Sequence, residues 1–63
     1  MKRTIKGIRC DLGMSQEELA KFLGITTQSF RNKEQYKTPL TVKELLALCD
    51  LAKLDPREVQ VAK

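Results

Sequence analysis

The side chains best suited to recognise another molecule are concentrated in residues 27–34, which read Thr-Gln-Ser-Phe-Arg-Asn-Lys-Glu. Phe30 is the only apolar residue of this segment. Glutamine and asparagine can each make two hydrogen bonds to the edge of adenine, arginine can do the same to guanine, and lysine and arginine neutralise phosphates. The segment therefore indicates nucleic-acid recognition, and the alternative is a solvated helix with ordinary polar surface residues.

Residue types used in catalysis or metal binding are scarce. The chain has no histidine, the commonest general base and metal ligand. Its two cysteines, Cys10 and Cys49, cannot form a zinc finger without histidine, and we expect free thiols, with Cys49 a small core residue. A chain of 63 residues also has too little core to enclose a large active site. We therefore expect no enzyme, no metal or other cofactor and no small-molecule ligand.

The net charge of +4 is unevenly distributed along the chain. Residues 1–9 and 26–43 are strongly basic, with Glu34 the only acid in either segment, whereas residues 10–25 and 44–63 are net acidic. This pattern predicts a polarised surface rather than a diffuse basic coat. The sequence lacks an apolar run long enough to span a membrane and lacks the pattern of a signal peptide. We therefore expect a cytoplasmic protein with no membrane contact.

The elements that must position the polar segment are predicted by repeated helix-start signals. Residues 15–18, 41–44 and 55–58 each place a capping side chain three residues before a glutamate, the spacing of a capping box. The last of these also has proline at the first helical position, where the missing N–H costs nothing. Thr26 is a further N-cap, directly ahead of the polar segment.

Apolar spacing supports the same helices. The expected core positions lie at helical intervals in residues 5–12, 19–23 and 42–52, and two more flank a short last helix; they are Ile5, Ile8, Leu12, Leu19, Ala20, Leu23, Val42, Leu45, Leu46, Cys49, Ala52, Leu54 and Val59. Strand-like alternation is absent. The predicted fold is all-α, a compact bundle of about five short helices, forming a single domain over residues 1–63.

Residues 14–34 resemble the helix-turn-helix of the Xre/Cro-type family, to which the lambdoid phage repressors and Cro proteins belong. The shared pattern is S-Q-x-x-L-A-x-x-L-G-I-(S/T), followed by a polar helix with one central apolar residue and a final glutamate. Ala20 suits a close helix crossing and Gly24 suits a left-handed turn. Residues 39–59 also resemble the family's last two helices. The resemblance implies a lambda-repressor-like DNA-binding domain whose helix-turn-helix unit covers about residues 15–34.

The resemblance also implies roles for individual side chains. In this family the third helix enters the major groove with its N-terminal part foremost. Base contacts are then expected from Thr27, Gln28, Arg31 and Asn32. Phosphate contacts are expected from Ser15, Gln16, Lys33, Lys37, Thr38 and Thr41. The resemblance further implies an ion pair between Arg9 of the first helix and Glu34 at the end of the third, which would fix the third helix without touching DNA.

The sequence departs from the family pattern at three sites. Residues 35–36 are Gln-Tyr where glycine is common after the third helix, and Lys53 replaces the glycine usual after the fourth. Tyrosine tolerates a left-handed backbone poorly, so we expect the loop to take a different path or the helix to continue. An alternative places Tyr36 against a phosphate. Lys33 stands where a bulky apolar residue is frequent, which weakens the anchoring of the third helix.

The resemblance implies a sequence-specific regulator, a phage Cro-like repressor or the DNA-binding part of a longer one, that binds a near-palindromic double-stranded operator as a weak homodimer. The Met-Lys-Arg start favours a complete Cro-like protein, although a fragment would look the same. Ala47, Leu51 and Val61 could form a dimer patch or cover the back of the core. The alternative function is an antirepressor or antitoxin module that masks another protein with the same fold.

Overall fold

The computed structural model describes residues 2–62; Met1 and Lys63, at the two ends of the expected domain, lie outside the described residues. Four α-helices follow one another along the chain, and their bounds are α1 Ile5–Asp11, α2 Gln16–Leu23, α3 Thr27–Glu34 and α4 Val42–Ala52. Within this part of the chain there is no strand, only an isolated parallel bridge between Arg3 and Val59. The all-α prediction is confirmed. The fifth element is a three-residue 3-10 helix, Pro56–Glu58, rather than an α-helix.

Side-chain caps set where the helices begin. All three capping boxes are present, starting at Ser15, Thr41 and Asp55, and Thr26 caps α3 by accepting a hydrogen bond from the Ser29 amide at 3.1 Å. The cap of α1 is Thr4, which was not predicted from the sequence. Its hydroxyl accepts from the Gly7 amide at 3.0 Å. Because no glutamate follows three residues later, α1 has a simple cap rather than a box.

The core lies where α1, α2 and α3 meet the middle of α4 and the C-terminal segment. Its six largest fully buried side chains are Ile5, Ile8, Leu19, Phe30, Leu48 and Val59. Phe30 is the only fully buried residue of α3, as its sequence required. A short helix has little stability of its own, so α3 is held in place mainly by this aromatic and by polar contacts at its ends.

The predicted core face of α4 was wrong for Val42 and Leu46, which are 74% and 51% exposed. Leu48, omitted from the prediction, is fully buried. Relative to the predicted orientation, α4 is rotated about its axis, and the residues that face the core are Leu45, Leu48, Cys49 and Ala52. Both sets of residues have helical spacing, so periodicity alone could not choose between them. Leu51 also packs against the core, which favours a covering role for it over a place in a dimer patch.

Each of the four α-helices is followed by a left-handed residue in a Schellman-type turn. After α3 this residue is Tyr36, with φ 61°, and the Lys37 amide donates to the Asn32 carbonyl at 2.8 Å. The expectation that a tyrosine here would divert the loop or lengthen the helix was therefore wrong. Lys53 likewise takes the left-handed conformation after α4, with φ 56°. The strain, about 1–2 kcal/mol for each such residue, is borne because neighbouring contacts fix the turn.

Candidate nucleic-acid interface

The face of α3 opposite Phe30 is polar and accessible. Gln28 and Arg31 are exposed, Asn32 is half-buried, and Thr27 is half-buried at the margin of this face. Gln28 Nε2 donates to Asn32 Oδ1 at 3.3 Å, one helical turn away. Each amide keeps further donors and acceptors for another molecule, while the mutual hydrogen bond limits their rotation. The structure thus brings all four expected base-contacting residues to one face of one helix.

A polar network fixes α3 against the first two helices. Arg9 Nε donates to Glu34 Oε2 at 2.7 Å, and its Nη1 donates to the Met14 carbonyl at 3.0 Å. The ion pair expected between Arg9 and Glu34 is therefore present, with its side chains only 14% and 6% exposed. The hydrogen bond to Glu34 raises the pKa of Arg9 against the opposing effect of burial. Removal of either partner would leave a poorly solvated charge.

Gln16 extends this network across the helix-turn-helix. Its Nε2 donates to Glu34 Oε1 at 2.9 Å, and its Oε1 accepts from Arg31 Nε at 3.0 Å. Gln16 was expected to contact a phosphate, but both ends of its amide are used within the protein. Its position nonetheless connects the start of α2 to the cation of Arg31 on the open face of α3. Gln16 can therefore orient Arg31 toward an anion even where it does not bind one itself.

Lys33 points away from the open face, contrary to the expectation that it contacts a phosphate. Its ammonium lies 2.5 Å from Glu44 Oε1, and the two side chains are only 13% and 10% exposed. The physical reason is helical geometry: residue 33 shares the inner side of α3 with Phe30, where the start of α4 packs. Lys33 therefore attaches α3 to α4 by an ion pair. No spacing pattern indicated this pair in advance.

Glu44 serves this pair and the cap of α4 at once. Burial raises the pKa of its carboxyl, but hydrogen bonds from Lys33 and from the Thr41 amide outweigh burial and bring the pKa below its ordinary value. The carboxyl is thus ionised at neutral pH. Because the positive charge of Lys33 is balanced by the carboxylate of Glu44, Lys33 adds little attraction for a phosphate on the outer surface.

The other expected phosphate ligands lie at the edges of this face. Ser15, Lys37, Thr38 and Thr41 are all exposed. The hydroxyl oxygens of Ser15 and Thr41 accept the capping hydrogen bonds of α2 and α4, which leaves their O–H hydrogens free to donate. Lys37 is in no ion pair with any residue from 2 to 62. Tyr36 is different, because its hydroxyl is held between the Ile5 amide and the Gln60 carbonyl.

Other kinds of site are not evident in the part of the chain that the structure describes. Residues 2–62 contain no cluster of three or more side chains suited to hold a metal ion. The described helices are also too short and too polar for any of them to cross a bilayer. Cys10 and Cys49 are free thiols, exposed and buried respectively. The polar face of α3 and its cationic margin are therefore the main candidate for function.

Comparison with known proteins gives one match. A family model described as helix-turn-helix matches residues 5–59, which include all four α-helices and the 3-10 helix. No curated protein matches the chain. No solved structure matches it either. The matched range covers the polar face of α3, the network around Glu34 and the loop that carries Lys37.

Proposed function

The chain belongs to the Xre/Cro-type helix-turn-helix family, whose members are DNA-binding regulators, and from that premise we propose that it is a sequence-specific transcriptional repressor of the phage Cro type. It acts by inserting α3 into the major groove of an operator. Occupation of the operator then excludes other proteins from the same DNA.

The observation that carries this proposal is the paired amide face of α3. Gln28 and Asn32 lie one turn apart on the side of the helix opposite Phe30 and orient each other by a hydrogen bond. Asparagine and glutamine read adenine with two hydrogen bonds, so a prearranged pair fits adjacent base edges. Arg31, held by Gln16 at the same face, adds a cation suited to guanine or to a phosphate. Thr27 completes the set at the N-terminal end of α3.

Contacts to the DNA backbone then fix the register of α3. Ser15 at the start of α2 is suited to donate to one phosphate, where helix amides and the helix dipole also favour an anion. Lys37, Thr38 and Thr41 are suited to a phosphate on the other side of the groove. Such contacts set position and orientation but carry no sequence information themselves.

Two copies acting together explain how so small a domain reaches useful affinity. One helix reads only a few base pairs, and two copies on half-sites about one helical turn apart would read twice as many. The second binding event is then effectively intramolecular, which raises affinity without new contacts to DNA. We therefore propose a near-palindromic operator bound by a weak homodimer.

The test begins by selecting bound sequences from a pool of random duplexes, which supplies the operator. Affinities for this operator and for unrelated DNA are then measured at several salt concentrations. We expect Gln28→Ala with Asn32→Ala to reduce discrimination between the two by roughly 1–3 kcal/mol per lost base contact. Lys37→Ala should weaken binding to both DNAs alike and lower the salt slope by about one. Gln60→Ala, an amide truncation outside the interface, is the matched control.

Two outcomes would contradict the proposal. In the first, the double variant keeps full operator discrimination, so that the amides do not read bases. In the second, the chain binds no DNA and instead captures another protein through α3, which would assign it to the antirepressor or antitoxin class. If Lys37→Ala changed the sequence preference and left the salt slope unchanged, the assignment of this loop to a phosphate would be wrong. The rest of the proposal would stand.

A further inference from the structure

The outer face of α4 is apolar at its centre and has no partner among the described residues. Val42 and Leu46 lie one turn apart and are 74% and 51% exposed. Helical periodicity places Lys43, Ala47 and Asp50 on the same side, opposite the core face that begins at Leu45. We call these five residues, Val42, Lys43, Leu46, Ala47 and Asp50, the outer α4 face.

Two charges on this face are arranged to complement a copy of themselves. Lys43 and Asp50 are seven residues apart, so they lie on the same side of the helix, one on each side of Leu46. In an antiparallel pair of α4 helices related by a two-fold axis near Leu46 and Ala47, each Lys43 faces an Asp50 across the axis. Neither residue is in an ion pair with any residue from 2 to 62.

The placement of these charges is unfavourable within a single helix. Lys43 lies in the first turn of α4, near the positive end of the helix dipole, and Asp50 lies in the last turn, near the negative end. Each charge therefore weakens an isolated α4 slightly. An antiparallel pair reverses this relation, because each charge then lies beside the opposite end of the other helix.

We propose that the outer α4 face is the surface through which two copies of this chain associate, with their α4 helices antiparallel and Leu46 at the two-fold axis. An isologous contact needs a self-complementary surface, and the order cation, apolar residue, anion is self-complementary about its centre. The biological use of this contact rests on the proposed two-copy binding to an operator. The contact itself can be measured without DNA.

The expected dimer is weak. A helix of eleven residues is about 16 Å long, so its face buries less than the roughly 1,200 Å² typical of stable complexes. Association should therefore become extensive only at high protein concentration, or on DNA, where two bound copies share a high effective concentration. This agrees with a regulator that assembles on its operator.

The first experiment measures the dimer dissociation constant by sedimentation equilibrium without DNA, up to millimolar protein. We expect Leu46→Gln to raise this constant by on the order of tenfold, because apolar area is lost on both copies. Phe22→Gln is the matched control, since Phe22 is 50% exposed but lies on α2. Its dissociation constant should stay within about twofold of the parent's. Equal weakening by both variants, or by neither, would overturn the proposal.

The second experiment exchanges the charges. Lys43→Glu and Asp50→Lys should each weaken association, because each places like charges opposite one another, and the double variant should restore it. Both single changes favour the dipole of α4, so loss of helix stability cannot explain weaker association. A double variant no tighter than the single variants would overturn the antiparallel arrangement.

Binding to DNA separates failure of this surface from failure of the proposed function. Leu46→Gln should bind an isolated half-site as tightly as the parent but lose cooperativity on a full operator. A parent that binds half-sites specifically, stays monomeric at millimolar concentration and occupies two half-sites independently would overturn the dimer surface while leaving the repressor proposal intact. A parent that dimerises through α4 but binds no half-site would overturn the repressor proposal and leave the dimer surface intact.

Discussion

Glu44 has two structural tasks that share one carboxylate oxygen: it closes the capping box of α4 and it pairs with Lys33 of α3. The same group thus fixes where α4 begins and how α3 is held against it. A buried ion pair is not in itself a source of large stability, since desolvation offsets much of the attraction. Its value here is directional, because the ammonium and the carboxylate allow fewer relative positions of the two helices than an apolar contact would.

The ionisation of Glu44 predicts a specific dependence of stability on pH. Hydrogen bonds from Lys33 and Thr41 hold its folded pKa below the ordinary 4.5. Its contribution to stability is therefore present above about that value and is lost as pH falls through the folded pKa. We expect Glu44→Gln to lower the free energy of unfolding by about 1–3 kcal/mol at pH 7. The difference should shrink as the pH falls through the lowered pKa of Glu44, as measured by urea unfolding.

Glu18→Gln is the matched control for this prediction. Glu18 closes the capping box of α2, where hydrogen bonds from the Ser15 backbone and side chain lower its pKa, but it has no lysine partner. Its substitution should have a smaller effect at pH 7, and the difference from the parent should vary less with pH. If the two variants gave the same pH profile, the pair with Lys33 would contribute nothing beyond an ordinary cap.

At the scale of the element, α4 has two faces that look alike in the sequence and differ in the structure. Leu48 is fully buried and Leu46 is 51% exposed. We expect Leu48→Ala to lower the free energy of unfolding by about 2–5 kcal/mol, because it removes buried methyl groups and leaves a cavity. Leu46→Ala should change it by less than about 1 kcal/mol. Chemical denaturation of the two variants tests which face of α4 is buried. Equal losses in the free energy of unfolding would contradict the observed orientation of the helix.

How much of each element the sequence could predict depended on whether the signal was local. The capping boxes of α2 and α4 were predictable because a cap and its glutamate interact within one turn. The orientation of α4 about its axis was not predictable, because tertiary packing against α2 and the C-terminal segment decides which of its two apolar stripes is buried. The polar face of α3 was predictable because a single aromatic residue leaves only one way to bury the helix.

The same distinction explains the errors at the candidate site. Lys33 looked like a free cation because its partner, Glu44, is eleven residues away in another helix. Tyr36 looked incompatible with a left-handed turn because the contacts that hold it involve the first and last segments of the chain. Backbone propensity describes an isolated residue. A left-handed conformation costs a non-glycine residue about 1–2 kcal/mol, and the tertiary contacts that outweigh this cost could not be seen in the sequence.

At the scale of the whole molecule, the two ends of the described chain meet beside the loop that follows α3. The Arg3 amide donates to the Glu58 carbonyl at 2.7 Å, and the Gln60 amide donates to the Arg3 carbonyl at 2.8 Å. The Tyr36 hydroxyl accepts from the Ile5 amide at 3.3 Å and donates to the Gln60 carbonyl at 3.1 Å. One side chain thus connects the loop, the start of α1 and the C-terminal segment.

This arrangement predicts that the Tyr36 hydroxyl holds the two ends of the described chain together and does not contact DNA. Tyr36→Phe keeps the ring but removes both hydrogen bonds, so we expect the free energy of unfolding to fall by about 1 kcal/mol. Hydrogen exchange should quicken at the amides of Ile5 and Gln60, because the contact between the two ends loosens, while the amides in the middle of α3 change only with global stability. Operator affinity, measured under conditions where both proteins are fully folded, should stay close to that of the parent. If the variant instead lost affinity for the operator and for unrelated DNA alike, with exchange at Ile5 unchanged, the hydroxyl would belong to the phosphate-binding surface.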